Sequence, residues 1–149
     1  MTANVSQAPA PLLRVEGLRV QLSSGPDIVS DVGFALAAGE IVGIVGESGS
    51  GKTTIAAALL GHVRAGAQIT AGKIWFDGVV DILALSRGDL GRIRGRLVSY
   101  VSQDPATALN PALRLGAQLE EVLVVHEPAL SSVERKRRVK TVLGEVGLP

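Results

Sequence analysis

Hydrophobic and polar positions alternate in two stretches near the start of the chain. Leucine and valine recur at nearly every second position from Leu13 to Leu22, and the same period returns from Val32 to Leu36. Between the stretches lies a run of turn-forming residues, Ser23 to Asp27. Because a period of two places apolar side chains on one face of a strand, the pattern predicts an antiparallel hairpin with one buried and one solvated face.

Two later stretches are apolar without alternation. They read IVGIV at residues 41–45 and LVSYV at residues 97–101. Continuous apolar runs of this length are typical of strands that are buried on both faces, as in a parallel sheet. A further short strand is predicted at residues 72–76, and the Asp77-Gly78 turn ends it.

Helical patterns fill most of the remaining chain. They are predicted at residues 52–62, at residues 89–95, and from Leu115 onward. Ser131 and Glu134 have the spacing of a capping box, which marks the start of the last helix, and Gly147 marks its end. One face of that helix is apolar and consists of Val139, Val142, Leu143 and Val146. Strands and helices together predict an α/β fold.

Composition narrows the class of protein. Hydrophobic residues make up 46% of the chain and charged residues 19%, so a general disordered state is excluded. The net charge is +1 and aromatic residues make up 3%, which argues against a nucleic-acid partner. We therefore interpret the basic run Arg135 to Arg138 as a solvated helix face, with a nucleic-acid site as the alternative.

Cysteine and histidine usage limits the metal chemistry. The chain has no cysteine, so disulfides and thiolate metal sites are excluded. The two histidines, His62 and His126, are far apart in sequence and have no partner at ligand spacing. No stretch reaches the roughly 18 to 20 apolar residues of a membrane span, so any relation to a membrane is predicted to be peripheral.

A glycine-rich loop separates the first continuous apolar run from the helix after it. Residues 46–53 read GESGSGKT and fit the pattern G-x-x-x-x-G-K-[ST]. About 0.006 accidental matches are expected at this composition. Glycines allow consecutive N–H groups to point at phosphate oxygens, and the helix presents its positive end to the same anion. Lys52 can reach the β- and γ-phosphates of a nucleotide, and the Thr53 hydroxyl suits Mg²⁺.

The loop GESGSGKTT and the later run VSYVSQDPATALNPALRLGAQLEE together resemble the ATP-binding subunit of ABC transporters, in the branch that imports oligopeptides, dipeptides and nickel. The likeness runs from about Leu12 to Pro149. It implies a P-loop NTPase fold, an ABC-type nucleotide-binding domain with an N-terminal antiparallel β part, the start of a parallel core sheet and a helical subdomain. It also implies ATP and Mg²⁺ as cofactors, and nucleotide-binding residues at Gly46, Glu47, Ser48, Gly49, Ser50, Gly51, Lys52, Thr53 and Thr54.

The resemblance gives Gln103 a role beside the loop. In the family this glutamine reaches Mg²⁺ and the attacking water, and it lies on the hinge to the helical subdomain. Lys52 and Gln103 are thus the implied catalytic residues, and Thr53 and Gln103 the implied metal ligands. Without the resemblance, Gln103 would be interpreted as an ordinary polar loop residue. The family usually stacks adenine on an aromatic residue where this chain has Leu22, which predicts a weaker or purely apolar contact with adenine.

Three motifs of the family do not follow Gln103 in these 149 residues: the LSGGQ signature, an apolar strand that ends in Asp and Glu, and a switch histidine. We therefore expect residues 12–149 to be a truncated nucleotide-binding domain with little ATP hydrolysis of its own. Residues 1–11 are expected to form a flexible tail. Two alternatives stay open. One is a different P-loop NTPase module, and the other is a non-catalytic ATP-binding piece that a second chain completes.

The resemblance also implies a biological setting. The family couples ATP binding and hydrolysis to import of peptides or a related small solute. Its partners are transmembrane permease subunits, a second nucleotide-binding subunit as a homodimer or heterodimer, and indirectly a solute-binding protein outside the membrane. No nucleic-acid partner is expected. The implied location is cytoplasmic and peripheral, on the inner face of the cell membrane.

Overall fold

The computed structural model describes residues 11–23, 25–77, 80–104 and 108–148. The chain divides into two compact units, one that ends at Leu90 and one that begins at Gly91. The tail expected at residues 1–11 lies outside the described residues, apart from Pro11. The assignment of residues 12–149 to one domain stays a prediction.

The first unit is built on a four-stranded antiparallel sheet. Its strands are β1 (Leu13–Leu22), β2 (Asp27–Leu36), β3 (Ala67–Phe76) and β4 (Val80–Asp81), in the spatial order β2-β1-β3-β4. The predicted hairpin is confirmed, because β1 pairs antiparallel with β2 across the expected turn. On its other side β1 pairs with β3, which is longer than the predicted strand at residues 72–76. The central position of β1 explains why its apolar side chains form the middle of the core.

A bulge near the middle of the hairpin keeps the apolar side chains on one face. Val15 and Leu18 are three positions apart, and the register between β1 and β2 shifts between them. Gly17 absorbs the extra residue with a φ of 56°, and Asp31 on β2 has a φ of 54°. The buried hydrophobic residues of this unit are Leu13, Val15, Leu18, Val20, Val29, Ile55, Ala58, Ile74, Phe76 and Ile82.

The first helix is shorter than the sequence pattern predicts, and the second is displaced by two residues at the predicted length. Helix α1 spans Lys52–Ala58, whereas the pattern extended to residue 62. A 3-10 turn, Ile82–Ala84, precedes α2 (Arg87–Ile93), which contains the boundary between the two units. The second unit contains α3 (Leu115–His126) and α4 (Ser132–Glu145). Among the described residues no helix is both long and apolar enough to cross a membrane.

Helix α4 begins and ends as its sequence predicts. The Ser131 hydroxyl accepts a bond from the Glu134 amide at 3.3 Å, and the Glu134 carboxylate accepts the Ser131 amide at 2.8 Å, which completes the capping box. At the other end Leu148 N–H donates to Leu143 O and Gly147 N–H to Gly144 O, the bonding pattern of a Schellman motif. Burial of the apolar face decreases toward the end of the helix: Val139 is buried, Val142 and Leu143 are half-buried, and Val146 is exposed.

Two predicted strands, and with them the predicted start of a parallel core sheet, do not form in the described residues. Residues 41–45 have no regular secondary structure, and Ile41 and Val45 are 96% and 93% exposed. Residues 97–101 make a single parallel bridge, between Arg94 and Val98, and Val101 is 91% exposed. A strand with two apolar faces is stable only between neighbouring strands and beneath a covering layer. The described part of the chain provides neither for these two stretches, so both predictions were wrong.

Candidate phosphate-binding site

The glycine-rich loop ends against the first sheet. Gly51 is buried and adopts a φ of 89° at the start of α1. A Cβ atom added there would lie 2.8 Å from Ile28 O and 3.2 Å from Val29 Cγ2, both on β2. Any larger residue would clash with the backbone of β2 and would also be strained. Glycine at position 51 therefore allows the loop and the helix to lie directly on the sheet.

The body of the loop is a tight turn. Ser50 N–H donates to Glu47 O at 3.2 Å, and Gly49 also has a positive φ, 83°. Space is short at Gly46, where an added Cβ would lie 2.8 Å from Ser50 Oγ. Residues 46–51 thus curve back on themselves, as a loop must when its amides are to surround an anion.

The Lys52 ammonium group lies within the curve of this loop. Its Nζ donates to Gly46 O at 2.8 Å and to Glu47 O at 2.6 Å, and it lies 3.4 Å from Ser50 Oγ. These contacts hold a positive charge next to the backbone of the turn. Phosphate oxygens entering the loop would meet this ammonium group directly, and charge-assisted bonds to them would replace its bonds to neutral carbonyls.

Two hydroxyl side chains follow Lys52 on the first turn of α1. Thr53 is exposed and Thr54 is half-buried, while Ile55 and Ala58 are buried and anchor the helix. The first turn contains no acidic residue, so no carboxylate offsets the positive end of the helix. The donor set is hydroxyl oxygen without nitrogen or sulfur, which fits Mg²⁺. Among the described residues no cluster of three or more His, Cys, Asp or Glu could hold another metal ion.

The structure brings residues 46–54 together into one continuous loop and helix start. Gln103 belongs to the second unit, where it is exposed, and its predicted role stays a prediction. Beside it the Ser102 hydroxyl donates to Asp104 O at 3.0 Å. Leu22, the position predicted to face adenine, is half-buried at the end of β1 and pairs with Ala67.

One organising residue near the Gln103 segment escaped the sequence analysis. Gln118 on α3 accepts a bond from Asn110 N–H at 2.9 Å and donates to Asn110 O at 3.1 Å and to Leu113 O at 3.2 Å. It thereby fixes the turn before α3, with help from Asn110 Oδ1, which accepts from Ala112 N–H. The pair Asn110-Pro111 predicts a turn, but nothing in the sequence identifies Gln118, eight residues after Asn110, as its hydrogen-bond partner.

Comparisons with known proteins identify the family of the chain. The family described as "ABC transporter" matches residues 29–149, a range that includes the loop. The oligopeptide transport ATP-binding protein OppD of Salmonella typhimurium is 40% identical over 156 aligned residues, covering 100% of this chain and 45% of that protein. OppD of Escherichia coli is 43% identical over 142 residues, covering 93% of this chain and 41% of that protein.

A relative from a second transport class gives the same result. The dipeptide transport ATP-binding protein DppD of Lactococcus lactis is 34% identical over 145 residues, covering 95% of this chain and 41% of that protein. The chain thus spans less than half the length of these curated relatives. On the family match and these identities, the chain belongs to the ATP-binding subunits of ABC transporters, in the oligopeptide and dipeptide branch.

Proposed function

We propose that this chain binds ATP and Mg²⁺ through residues 46–54 and acts as the ATP-binding component of an importer for peptides or a related small solute. The observation that carries the proposal is the position of Lys52 Nζ, 2.8 and 2.6 Å from two carbonyls of the turn that would receive the phosphates. The printed names of the relatives, oligopeptide and dipeptide transport proteins, support the solute class.

The loop needs little rearrangement to receive a phosphate chain. Its last residue, Gly51, is already fixed against β2, and its turn is closed by the Ser50 to Glu47 bond. The Lys52 ammonium group turns from its own loop carbonyls to phosphate oxygens and keeps its three-donor geometry. Ordering costs that a flexible loop would incur on binding are thereby reduced.

We propose the exposed Thr53 hydroxyl on α1 as a ligand of the metal ion. The family resemblance adds the amide oxygen of Gln103 as a second ligand, and that role stays a prediction. When bound, Mg²⁺ neutralises charge on the β- and γ-phosphates. The chain itself orients the Thr53 hydroxyl. Ile55 is buried two positions after Thr53, so it sets the rotation of α1 and with it the direction of that hydroxyl.

Titration calorimetry with MgATP tests the proposal. Lys52→Ala removes a charge-assisted contact and should weaken binding by roughly 10- to 150-fold. Lys73→Ala is the matched control, because Lys73 is an exposed lysine on β3 whose ammonium lies 5.6 Å from the Trp75 ring, a contact that uses no loop residue. The control should bind MgATP as the wild type does. Equal affinity for Lys52→Ala and the wild type would show that the loop is not the nucleotide site.

The exposed stretch at residues 41–45 favours a second candidate function, a non-catalytic ATP-binding piece completed by another polypeptide. Its apolar side chains are uncovered within the described residues, as a surface for a further strand would be. The two candidates differ in turnover. A non-catalytic piece should release phosphate no faster than background. Lys52-dependent turnover on the order of 1 s⁻¹ would favour a self-sufficient ATPase.

The remaining features of the proposal follow the family. We propose transmembrane permease subunits and a second nucleotide-binding subunit as direct partners, and a solute-binding protein as an indirect one. We propose a peripheral location on the cytoplasmic face of the membrane. Co-purification of the tagged chain with a permease from detergent-solubilised membranes tests these partners, and recovery of the chain without any membrane protein would contradict them.

A further inference from the structure

The basic run on α4 is not uniform. The Arg135 side chain is half-buried: it donates to Leu130 O, and its Nε lies 3.7 Å from Glu120 Oε1 on α3. Lys136, Arg137 and Arg138 are exposed. Arg135 therefore helps join the two helices, and the interpretation of the whole run as a solvated face needs this correction.

Three of the remaining cations share one side of the helix with an apolar residue. At about 100° per residue, Val133, Lys136, Arg137 and Lys140 fall within an arc of about 100°. We call these four residues the basic stripe. All four are exposed, and Val133 is 77% exposed. Buried Val139 lies outside this arc, and Lys136 and Lys140 border the groove that Val139 lines together with Glu120 of α3.

No ion pair holds the charge of the stripe in the part of the chain that the structure describes. Of the acidic residues of α4, Glu134 lies three positions before Arg137, with which it has a charge interaction, and its carboxylate is held by Ser131. On α3, Glu120 faces Arg135. Three concentrated positive charges remain available to an anionic partner.

We propose that the basic stripe binds the surface of a bilayer that contains anionic phospholipid. Lipid fits better than the other anionic partners. The stripe contains no aromatic side chain on which a nucleobase could stack. Cations beside an exposed apolar residue suit the interface, where ammonium and guanidinium groups meet headgroup phosphates and the valine contacts the acyl boundary. The inference is independent of the ATP site.

Vesicle flotation of the full chain tests the proposal. Two vesicle preparations are used, phosphatidylcholine alone and phosphatidylcholine with about 30% phosphatidylglycerol. The stripe variant combines Lys136→Gln, Arg137→Gln and Lys140→Gln, since glutamine keeps the helix propensity. The matched control combines Arg64→Gln, Arg87→Gln and Arg96→Gln, three exposed cations elsewhere with the same change of net charge.

The proposal predicts that the wild type floats with the anionic vesicles and not with neutral ones. The stripe variant should lose about 100-fold in partitioning, since each cation near an anionic surface contributes roughly a factor of five. The control should change by less than about threefold. Lys136→Arg with Lys140→Arg should retain binding, which separates loss of charge from loss of fold, and Val133→Ser should weaken it.

Several results would overturn the proposal. One is equal flotation of the wild type with neutral and with anionic vesicles. Another is an equal loss of partitioning in the two triple variants, which would indicate a general effect of net charge. Displacement from vesicles by polyglutamate at equal charge concentration would identify an acidic polypeptide as the partner. Because Lys52→Ala leaves the stripe intact, it should float like the wild type, so failure at the ATP site is distinguishable from failure here.

Discussion

Two stretches that the sequence pattern predicts as strands behave in opposite ways in this protein. Strand β1 alternates apolar and polar residues, pairs with β2 and β3, and buries Leu13, Val15, Leu18 and Val20. Residues 41–45 are almost entirely apolar, yet they lie exposed and form no strand. A strand with one apolar face can bury that face as part of a four-stranded sheet. A strand with two apolar faces needs neighbouring strands and covering layers, which the described residues do not supply. Partner availability, rather than hydrophobicity, separates the two.

The phosphate-binding loop lies at the junction between these two kinds of region. Its last residue, Gly51, is fixed on β2, while its first residue, Gly46, continues directly from the exposed stretch. The bonds from Lys52 Nζ to Gly46 O and Glu47 O tie the free end of the loop to α1. Lys52 thus stabilises the shape of the loop, and in the proposed function the same ammonium group binds the phosphates.

The largest expected difference between the regions is in core truncation. Leu18→Ala should lower the free energy of unfolding by about 2 to 5 kcal/mol, because it leaves a cavity at the centre of the sheet. Ile41→Ala should change it by less than about 0.5 kcal/mol, because the side chain is already in water. Urea denaturation of both variants measures the contrast. A loss of 2 kcal/mol or more at Ile41, on the scale of the core truncation, would mean that residues 41–45 are packed in solution.

A glycine from each region sharpens the comparison. Gly51→Ala should cost about 1 to 3 kcal/mol, because it combines a φ of 89° with an atom 2.8 Å away on β2. Gly43→Ala is the matched control: nothing lies within 4 Å of its Cβ position, and the cost should stay below about 0.5 kcal/mol. Denaturation midpoints test this pair. Equal effects would show that the loop does not lie on β2 as described.

The cap of α4 should give a smaller effect. Ser131→Ala removes the hydroxyl that accepts Glu134 N–H, and N-cap losses of this kind cost about 1 kcal/mol. Ser132→Ala, one position into the helix, is the natural control and should be close to neutral. Far-UV circular dichroism during thermal unfolding reports the difference. A stable Ser131→Ala variant would show that packing against α3, and not the cap, holds the helix start.

The same cap predicts a pH dependence. Hydrogen bonds from the Ser131 side chain and backbone, and then the charge of Arg137, lower the pKa of Glu134 below its ordinary value of 4.5. A lowered pKa stabilises the folded state above pH 4.5, and that contribution is lost as the pH falls through the lowered value. Between about pH 6 and about pH 3, helix stability should therefore decline less in Ser131→Ala than in the wild type. Parallel pH profiles of the two proteins would contradict this.

The sequence predicted the features that are encoded locally. Alternation gave the β1-β2 hairpin, spacing gave the capping box at Ser131 and Glu134, and one motif gave the loop at residues 46–53. It did not predict that β3 would lie beside β1, because periodicity identifies a buried face and not its neighbour. For the same reason it assigned a strand to residues 41–45.

Side-chain contacts between separate elements also could not be predicted from the sequence pattern. Four consecutive cations look alike in the sequence, yet Arg135 turns toward Glu120 because of where α3 runs. The bonds of Lys52 to its own loop depend on the curvature of the turn, which the motif implies only in outline. Contacts between segments distant in sequence, such as Gly51 against Ile28, require the fold itself.

Hydrogen exchange of the full chain, measured by mass spectrometry with and without MgATP, tests the central claim most directly. Without nucleotide, amides of β1 should exchange slowly and those of residues 41–45 quickly, because only the former are bonded within a sheet. MgATP should slow exchange in residues 46–55 in the wild type, and at the same concentration it should slow exchange less in Lys52→Ala. Two results would contradict the account: protection of residues 41–45 equal to that of β1, or exchange in residues 46–55 that is the same with and without MgATP.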